Sequence, residues 1–420
     1  MRLLYIAIAY LLAPVVLVAL ALRGFRDRSH WEGFTERLGL GPRLPDGRSI
    51  WVHAVSVGEV QASAPLVNAL LAKFPGMPLV VTTGTATGRV RARALFKERV
   101  DVRYVPIDLP GAVRRFFDRV RPQLAVILET EIWPNLYHRC GQLDIPLVMA
   151  SARISPRSVN RYRRMVGLFR QALSHGIFIA AQSEQDAERF RSIGASADRT
   201  HVVGNIKFDF RLPPNIETQG ATLRRLLGVD RPVWVAGSSH AGEEDVLLAA
   251  HRQVRARYAQ ALLVLVPRHP PRFGEVAGWL EAQGVKFVTR ESGGGTTGDT
   301  EVFLVNTLGE LLAFYAAGDV AFVGGTLVPI GGHNLLEPAA LGLPVLAGVY
   351  NFNSADVARL LVESGAVRIV HDAADLSAAI CGLLAEPAAR ARMGASGRKA
   401  IEANRGAVDR LMAFLAPLLP

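Results

Sequence analysis

The sequence predicts an α/β fold of two doubly wound halves, and three observations carry that expectation. The 420 residues are too many for one ordinary core and suit two domains of roughly 150 to 200 residues each. Short apolar runs alternate with amphipathic stretches, the pattern of parallel sheets covered by helices. These runs fall into two sets of similar size on either side of Arg211-Leu212-Pro213-Pro214-Asn215, where proline fixes backbone angles and removes donors.

In chain order, the uncharged run 3–22 comes first and is long enough to cross a hydrocarbon core of about 30 Å. Arg23, Arg26 and Arg28 follow it and outweigh Arg2 with the terminal amine, so the positive-inside bias leaves the rest of the chain in the cytoplasm. A cleaved signal peptide ending near Ala19-Leu20-Ala21 is the competing reading, but the apolar run exceeds the usual length and arginine lies just beyond it. Candidate strands of the first half are 50–55, 79–83, 102–105, 124–128, 147–150, 177–181 and 200–203. Those of the second are 233–237, 261–266, 285–289, 302–305, 320–324, 345–347 and 366–369. The expected organisation is a transmembrane anchor at 1–23, a first domain at 24–210, a linker at 211–230 and a second domain at 231–420. Two such halves would place their strand ends around one cleft, where open α/β sheets bind ligands. The glycine-rich segment 292–298 lacks the Lys-Ser/Thr ending of a P-loop and reads as a flexible surface loop.

Half of the residues are hydrophobic, which excludes global disorder. Lys+Arg number 48 against 37 Asp+Glu, a net charge of +11 carried almost entirely by arginine, so the chain should seek anionic partners: nucleic acid, an anionic membrane face or phosphorylated substrates. Cys140 and Cys381 are the only cysteines; they make no disulfide framework and no cysteine-based zinc site.

Several strand ends carry chemistry. Ser56-Val57-Gly58-Glu59 puts a carboxylate at the mouth of a strand and in the first turn of a helix, either complementing the helix dipole or taking a proton from an attacking hydroxyl, with Gly58 permitting close approach. Thr82 to Arg89 forms a small-residue loop that would expose N–H groups to an anion. Glu129 and Glu131 end another strand, where two carboxylates must meet a cation or face a ligand. Lys207 in Gly204-Asn205-Ile206-Lys207-Phe208-Asp209 could neutralise a leaving phosphate, although a solvated lysine is the commoner case. In the second half, Gly237 to Glu244 opens a helix after a strand, and Pro267-Arg268-His269-Pro270 follows another, with Arg268 a candidate phosphate clamp. The most specific stretch runs from Phe322 through Gly331-Gly332-His333-Asn334-Leu335-Leu336-Glu337: backbone donors can face phosphate while Glu337 accepts from a ribose diol. It is not the dinucleotide fingerprint, so a redox cofactor is disfavoured.

Together, Ser56 to Glu59, Glu129 to Asn135, Gly204 to Asp209 and Gly331 to Glu337 resemble the 3-deoxy-D-manno-octulosonic acid (Kdo) transferases of lipopolysaccharide assembly, glycosyltransferases of the GT-B fold. The resemblance runs from about Trp31 to Phe352. It implies transfer of Kdo from CMP-Kdo to a lipid A precursor (lipid IVA) at the cytoplasmic face of a bacterial inner membrane. Glu59 is then the general base, and Glu129 and Lys207 the transition-state stabilisers. Pro267 and Arg268, Leu308, Gly309 and Glu310, and Asn334, Leu335, Leu336 and Glu337 hold CMP, with Ser56, Gly58 and Glu131 also lining the substrate. No cofactor is implied. Fixed cations can stabilise the leaving phosphate and no Asp-x-Asp motif is present, so no metal is expected; in-line attack would invert the anomeric centre. Arg114, Arg115, Arg119 and Arg121, with Phe116 and Phe117 among them, and Arg157, Arg161, Arg163 and Arg164 could hold lipid phosphates, or are ordinary solvated helix faces. A uridine-nucleotide transferase or epimerase is the second enzyme reading. A nucleic-acid binder is the third, and it lacks a recognition-helix or aromatic-basic sheet signature.

Overall fold

A strand buried on both faces needs apolar side chains in both alternating directions. β1 (Ser49–His53) has them: Ile50 and Val52 enter one core and Trp51 the other. β2 (Leu79–Thr83), β3 (Asp101–Tyr104), β4 (Pro122–Leu128), β5 (Leu147–Ala152), β6 (Phe178–Ala181) and β7 (Thr200–Val202) join it in a parallel sheet of order β3-β2-β1-β4-β5-β6-β7. The chain winds outward from β1 to β3, then returns to β4 and winds the other way. The switch point therefore lies between β1 and β4, and their carboxyl ends are where such a sheet leaves a crevice for ligands.

The second sheet repeats the plan. β8 (Val233–Ser239), β9 (Leu262–Pro267), β10 (Phe287–Thr289), β11 (Val302–Leu304), β12 (Val320–Val323), β13 (Val345–Ala347) and β14 (Val367–Ile369) pair in parallel in the order β10-β11-β9-β8-β12-β13-β14. Its switch point lies between β8 and β12. All fourteen expected strands are present, with ends moved by at most two residues.

The computed structural model describes residues 2–26, 31–45, 47–155, 158–159 and 176–419. The chain forms two compact units, Met1–Phe210 with Asn404–Pro420, and Arg211–Ala403. Two boundaries differ from the sequence expectation. The segment 211–230 is not a plain linker: Ile216–Leu227 is a helix that buries Ile216, Leu223 and Leu227, with Gly220 against Ala316 of the helix Leu311–Ala317. The last residues do not belong to the second unit either. The helix Ala407–Leu415 packs Ala407, Val408, Leu411 and Leu415 into the core of the first. Asp209 fixes that return, its carboxylate accepting from the N–H groups of Gly406 and Val408, two of the otherwise orphaned donors at a helix start. The glycine-rich loop is also more tethered than expected, since Thr296 bonds to the carbonyls of Leu226 and Leu227, and the Thr297 carbonyl accepts from Arg231.

The N-terminal helix Arg2–Arg26 contains a stretch, Arg2–Leu22, long and apolar enough to cross a membrane. Its first turns touch the first unit: the Tyr5 hydroxyl donates to Asp108 at 2.9 Å, and Arg2 Nε to the Asn135 side-chain oxygen at 3.3 Å. Leu3, Leu11, Val15 and Leu22 stand exposed. Arg28, Arg157, Arg161, Arg163 and Arg164, and the side chains of Arg23 and Arg26, lie outside the described residues. Among the other expected lipid-facing arginines, Arg115 and Arg121 bond to the carbonyls of Leu38, Leu44 and Pro45, while Phe116 and Phe117 are core residues packed edge-on to Trp51.

Candidate active site

The first cluster sits at the switch point of the first sheet. Ser56 caps the helix Val57–Ala62, its hydroxyl accepting from the Glu59 N–H at 3.4 Å. Glu59 folds back, its carboxylate accepting from the Val55 N–H at 2.7 Å and the Ser56 hydroxyl at 3.3 Å. Those bonds, like the position at a helix start, favour the charged form. Burial opposes them, and the nearby negative charges of Glu129 and Glu131 add to burial, so the Glu59 carboxyl is pushed up to about 8. A group that titrates near neutrality in a crevice is suited to proton transfer.

Glu129 directly follows β4 and adopts φ 56°, a left-handed conformation that costs a non-glycine residue about 1–3 kcal/mol and is retained where the surroundings over-determine it. Its N–H donates to the Ala150 carbonyl, and its carboxylate takes Lys207 Nζ at 2.6 Å and lies 3.6 Å from Arg153 Nε. Lys207 is held in turn, because the Asn205 side chain accepts from its N–H and is itself tied through Gln182 to Ser151 at the end of β5. Burial raises the Glu131 carboxyl, the nearby Trp133 indole opposes that rise, and the Glu129 charge adds a smaller push upward. The structure thus brings Ser56, Glu59, Glu129, Glu131 and Lys207 together, as the motifs suggested, with Gly58 exposed beside them.

The second cluster lies at the switch point of the other sheet. Pro267 ends β9, and the Arg268 N–H donates to the Ser239 carbonyl at 3.0 Å, leaving a half-buried guanidinium with no ion-pair partner among the described residues. After β12, the loop through Gly325, Gly331 and Gly332 takes positive φ at all three glycines, and a Cβ on Gly325 would stand 3.1 Å from the His333 ring. Asn334 starts the helix Leu336–Leu341 by accepting from the Leu336 N–H, and its amide donates to Glu337 at 3.1 Å. Leu308 is exposed and Gly309 open on every side; Glu310 is engaged by a two-pronged Arg290 pair and the Thr307 hydroxyl, which lower its pKa. Among the described residues no group of three or more His, Cys, Asp or Glu is arranged to hold a metal ion.

Residues 32–210 match the 3-Deoxy-D-manno-octulosonic-acid transferase (kdotransferase) family. The 3-deoxy-D-manno-octulosonic acid transferase of Haemophilus influenzae is 38% identical over 421 residues, covering 100% of this chain and 99% of that one. The chain belongs to the Kdo transferase family. It is a glycosyltransferase. The Bordetella pertussis Kdo transferase is 36% identical over 96% of this chain and 95% of its own. A solved UDP-GlcNAc 2-epimerase from Neisseria meningitidis superposes with a TM-score of 0.60 over 88% of this chain and 100% of its own at 13% identity, a likeness of the GT-B fold alone.

Several contacts in this transferase's clusters were not legible in the sequence, even where the residues themselves lay in the stretches named above. Arg153 beside Glu129 lies 24 positions further along and carries no motif. Glu243 is fully buried, its carboxylate accepting from the N–H groups of Gly325, Thr326, Leu327 and His240, so it knits the ends of β8 and β12 together. Burial raises its pKa while those four donors lower it. His240 and His333 meet at 2.7 Å between their Nε2 atoms, a pairing of residues 93 apart that only the sheet order creates.

Proposed function

We propose that this Kdo transferase moves Kdo from CMP-Kdo to a lipid A precursor, lipid IVA, in lipopolysaccharide biosynthesis, with inversion and without a metal. The observation that carries the reading is Glu59, raised toward neutrality at the switch point by burial and by Glu129 and Glu131. Glu59 takes the proton of the acceptor hydroxyl as that oxygen attacks the anomeric carbon of Kdo. The bond from this carbon to the CMP phosphate breaks, and its electron pair leaves with the phosphate. Lys207 fixes Glu129 beside the base, which Glu129 helps to raise, and the pair also steadies the charge developing on the sugar and its leaving group. Ser56, Gly58 and Glu131 line the acceptor side. Pro267 and Arg268, Leu308 to Glu310, and Asn334 to Glu337 bind CMP, with the unpaired Arg268 guanidinium on the phosphate.

The apolar helix supports a single-pass anchor in a bacterial inner membrane with both units on the cytoplasmic side, an arrangement in which the helix releases its Arg2–Asn135 and Tyr5–Asp108 contacts to span; there the +11 charge favours the anionic lipid face and a phosphorylated acceptor over nucleic acid. The test is incubation of the purified chain with CMP-Kdo and tetraacylated lipid A precursor. CMP release and an acceptor heavier by one or more Kdo units support the reading. An inert CMP-Kdo, with turnover of a uridine nucleotide sugar instead, would replace it.

A further inference from the structure

The two histidines beside Arg268 have no role in the chemistry above, yet their geometry is specific. Their rings are parallel to within 1°, with centroids 5.0 Å apart and Nε2 atoms at 2.7 Å. The centroid spacing exceeds the nitrogen spacing by about two ring radii, so the rings lie end to end in one plane along a single N–H···N bond. One Nε2 therefore carries the proton and the other accepts it. The ring that donates through Nε2 keeps a basic Nδ1. His269 stands edge-on to His240 at 5.3 Å.

Cations predominate around this pair, with Glu244 acting against them on His240. Arg268 and His269 act on both rings, and Arg272 acts on His240. The carboxylates on the same elements are already committed: Glu244 to Arg272 and the Ser239 hydroxyl, and Glu243 to four backbone N–H groups. Burial and these cations push both imidazoles down, His333 to about 3, so the pair is neutral at pH 7 in the free protein. An anion placed beside Arg268 is the missing counter-charge.

We propose that His240 and His333 form one anion-binding element of the donor site, which takes up a proton when the phosphate of the nucleotide sugar seats beside Arg268. The proton goes to the free Nδ1 of the donating ring, and the resulting imidazolium shares the phosphate charge with Arg268. The inference rests on the donor reading above. It assigns two positioning residues, spaced at the switch point between β8 and β12, and makes donor affinity depend on pH.

The probe is the methyl ester of cytidine 5′-monophosphate, a phosphodiester that does not itself titrate between pH 5 and 9. Calorimetry on the full chain in buffers of different ionisation enthalpy should find close to one proton taken up at pH 7, with affinity falling up to tenfold per unit as the pH rises from 6 to 8. His333→Gln and His240→Asn should bind more weakly and lose the uptake, while His269→Asn keeps it. Binding without proton uptake, or uptake that survives in both pair variants, overturns the proposal. If only the uridine ester binds, with uptake, the cytidine reading fails and the histidine pair stands; if neither ester binds, both fall.

Discussion

The chemistry of Glu59 turns on a balance visible around one side chain. Two hydrogen bonds and a helix start hold its pKa down, while burial and two neighbouring glutamates raise it to about 8, and burial wins. A base must be ionised to act, so kcat/KM for the acceptor at saturating CMP-Kdo should climb about tenfold per pH unit below 8 and level off above it. Glu131→Gln removes one like charge and should move that bend to lower pH; a bend that stays in place would take Glu131 out of the account. The same balance has a consequence for stability. The carboxyl binds its proton more tightly folded than unfolded, where it titrates near about 4.3. Its stabilising contribution is complete below that value and is lost as the pH rises toward 8. Glu59→Gln should therefore gain in Tm over the parent chain on going from pH 4 to pH 9. Lys207→Met leaves Glu129, among the described residues, with the more distant Arg153 as its ion-pair partner, and should lower kcat on the order of 10²-fold with a smaller change in KM. An equal rise in KM with kcat intact would mean that Lys207 only binds substrate.

At the level of elements, what the sequence disclosed and what it concealed have a common physical reason. The inner strands, buried on both faces, read as apolar runs, and the half-exposed edge strands β7, β10 and β14 as shorter β-branched or aromatic stretches, while the strand ends named the acids and loops near both switch points. Contacts made across the fold leave no local trace. The helix Ile216–Leu227 was masked by the prolines before it, which suggested a linker although they only precede its start. The helix Ala407–Leu415 looked like any terminal helix of the second half, because its partners in the first unit, such as Val203 and Ile206, lie some 200 positions away. The His240–His333 pair and the Glu243 clasp were hidden for the same reason. The clasp of Asp209 on that last helix is the device to test: Asp209→Ala should cost about 1 to 2 kcal/mol in chemical denaturation. A change below a few tenths would mean that apolar packing alone holds the helix.

For the whole molecule, the composition that opened as a basic, half-hydrophobic chain resolves into an apolar N-terminal helix and two parallel sheets, each with a cluster of candidate site residues at its own switch point. Deleting residues 1–22 should move the protein from the membrane fraction to the soluble fraction; retention on membranes would transfer the anchoring role to the arginine-rich surface. The proposed mechanism depends above all on Glu59 as the base of Kdo transfer. The most direct measurement is CMP release from CMP-Kdo by Glu59→Gln in the presence of lipid IVA, with CMP binding followed in parallel. The account predicts that release falls by roughly 10²- to 10⁴-fold while CMP binds as it does to the parent chain. Release at the parental rate by a variant that binds CMP normally would contradict it.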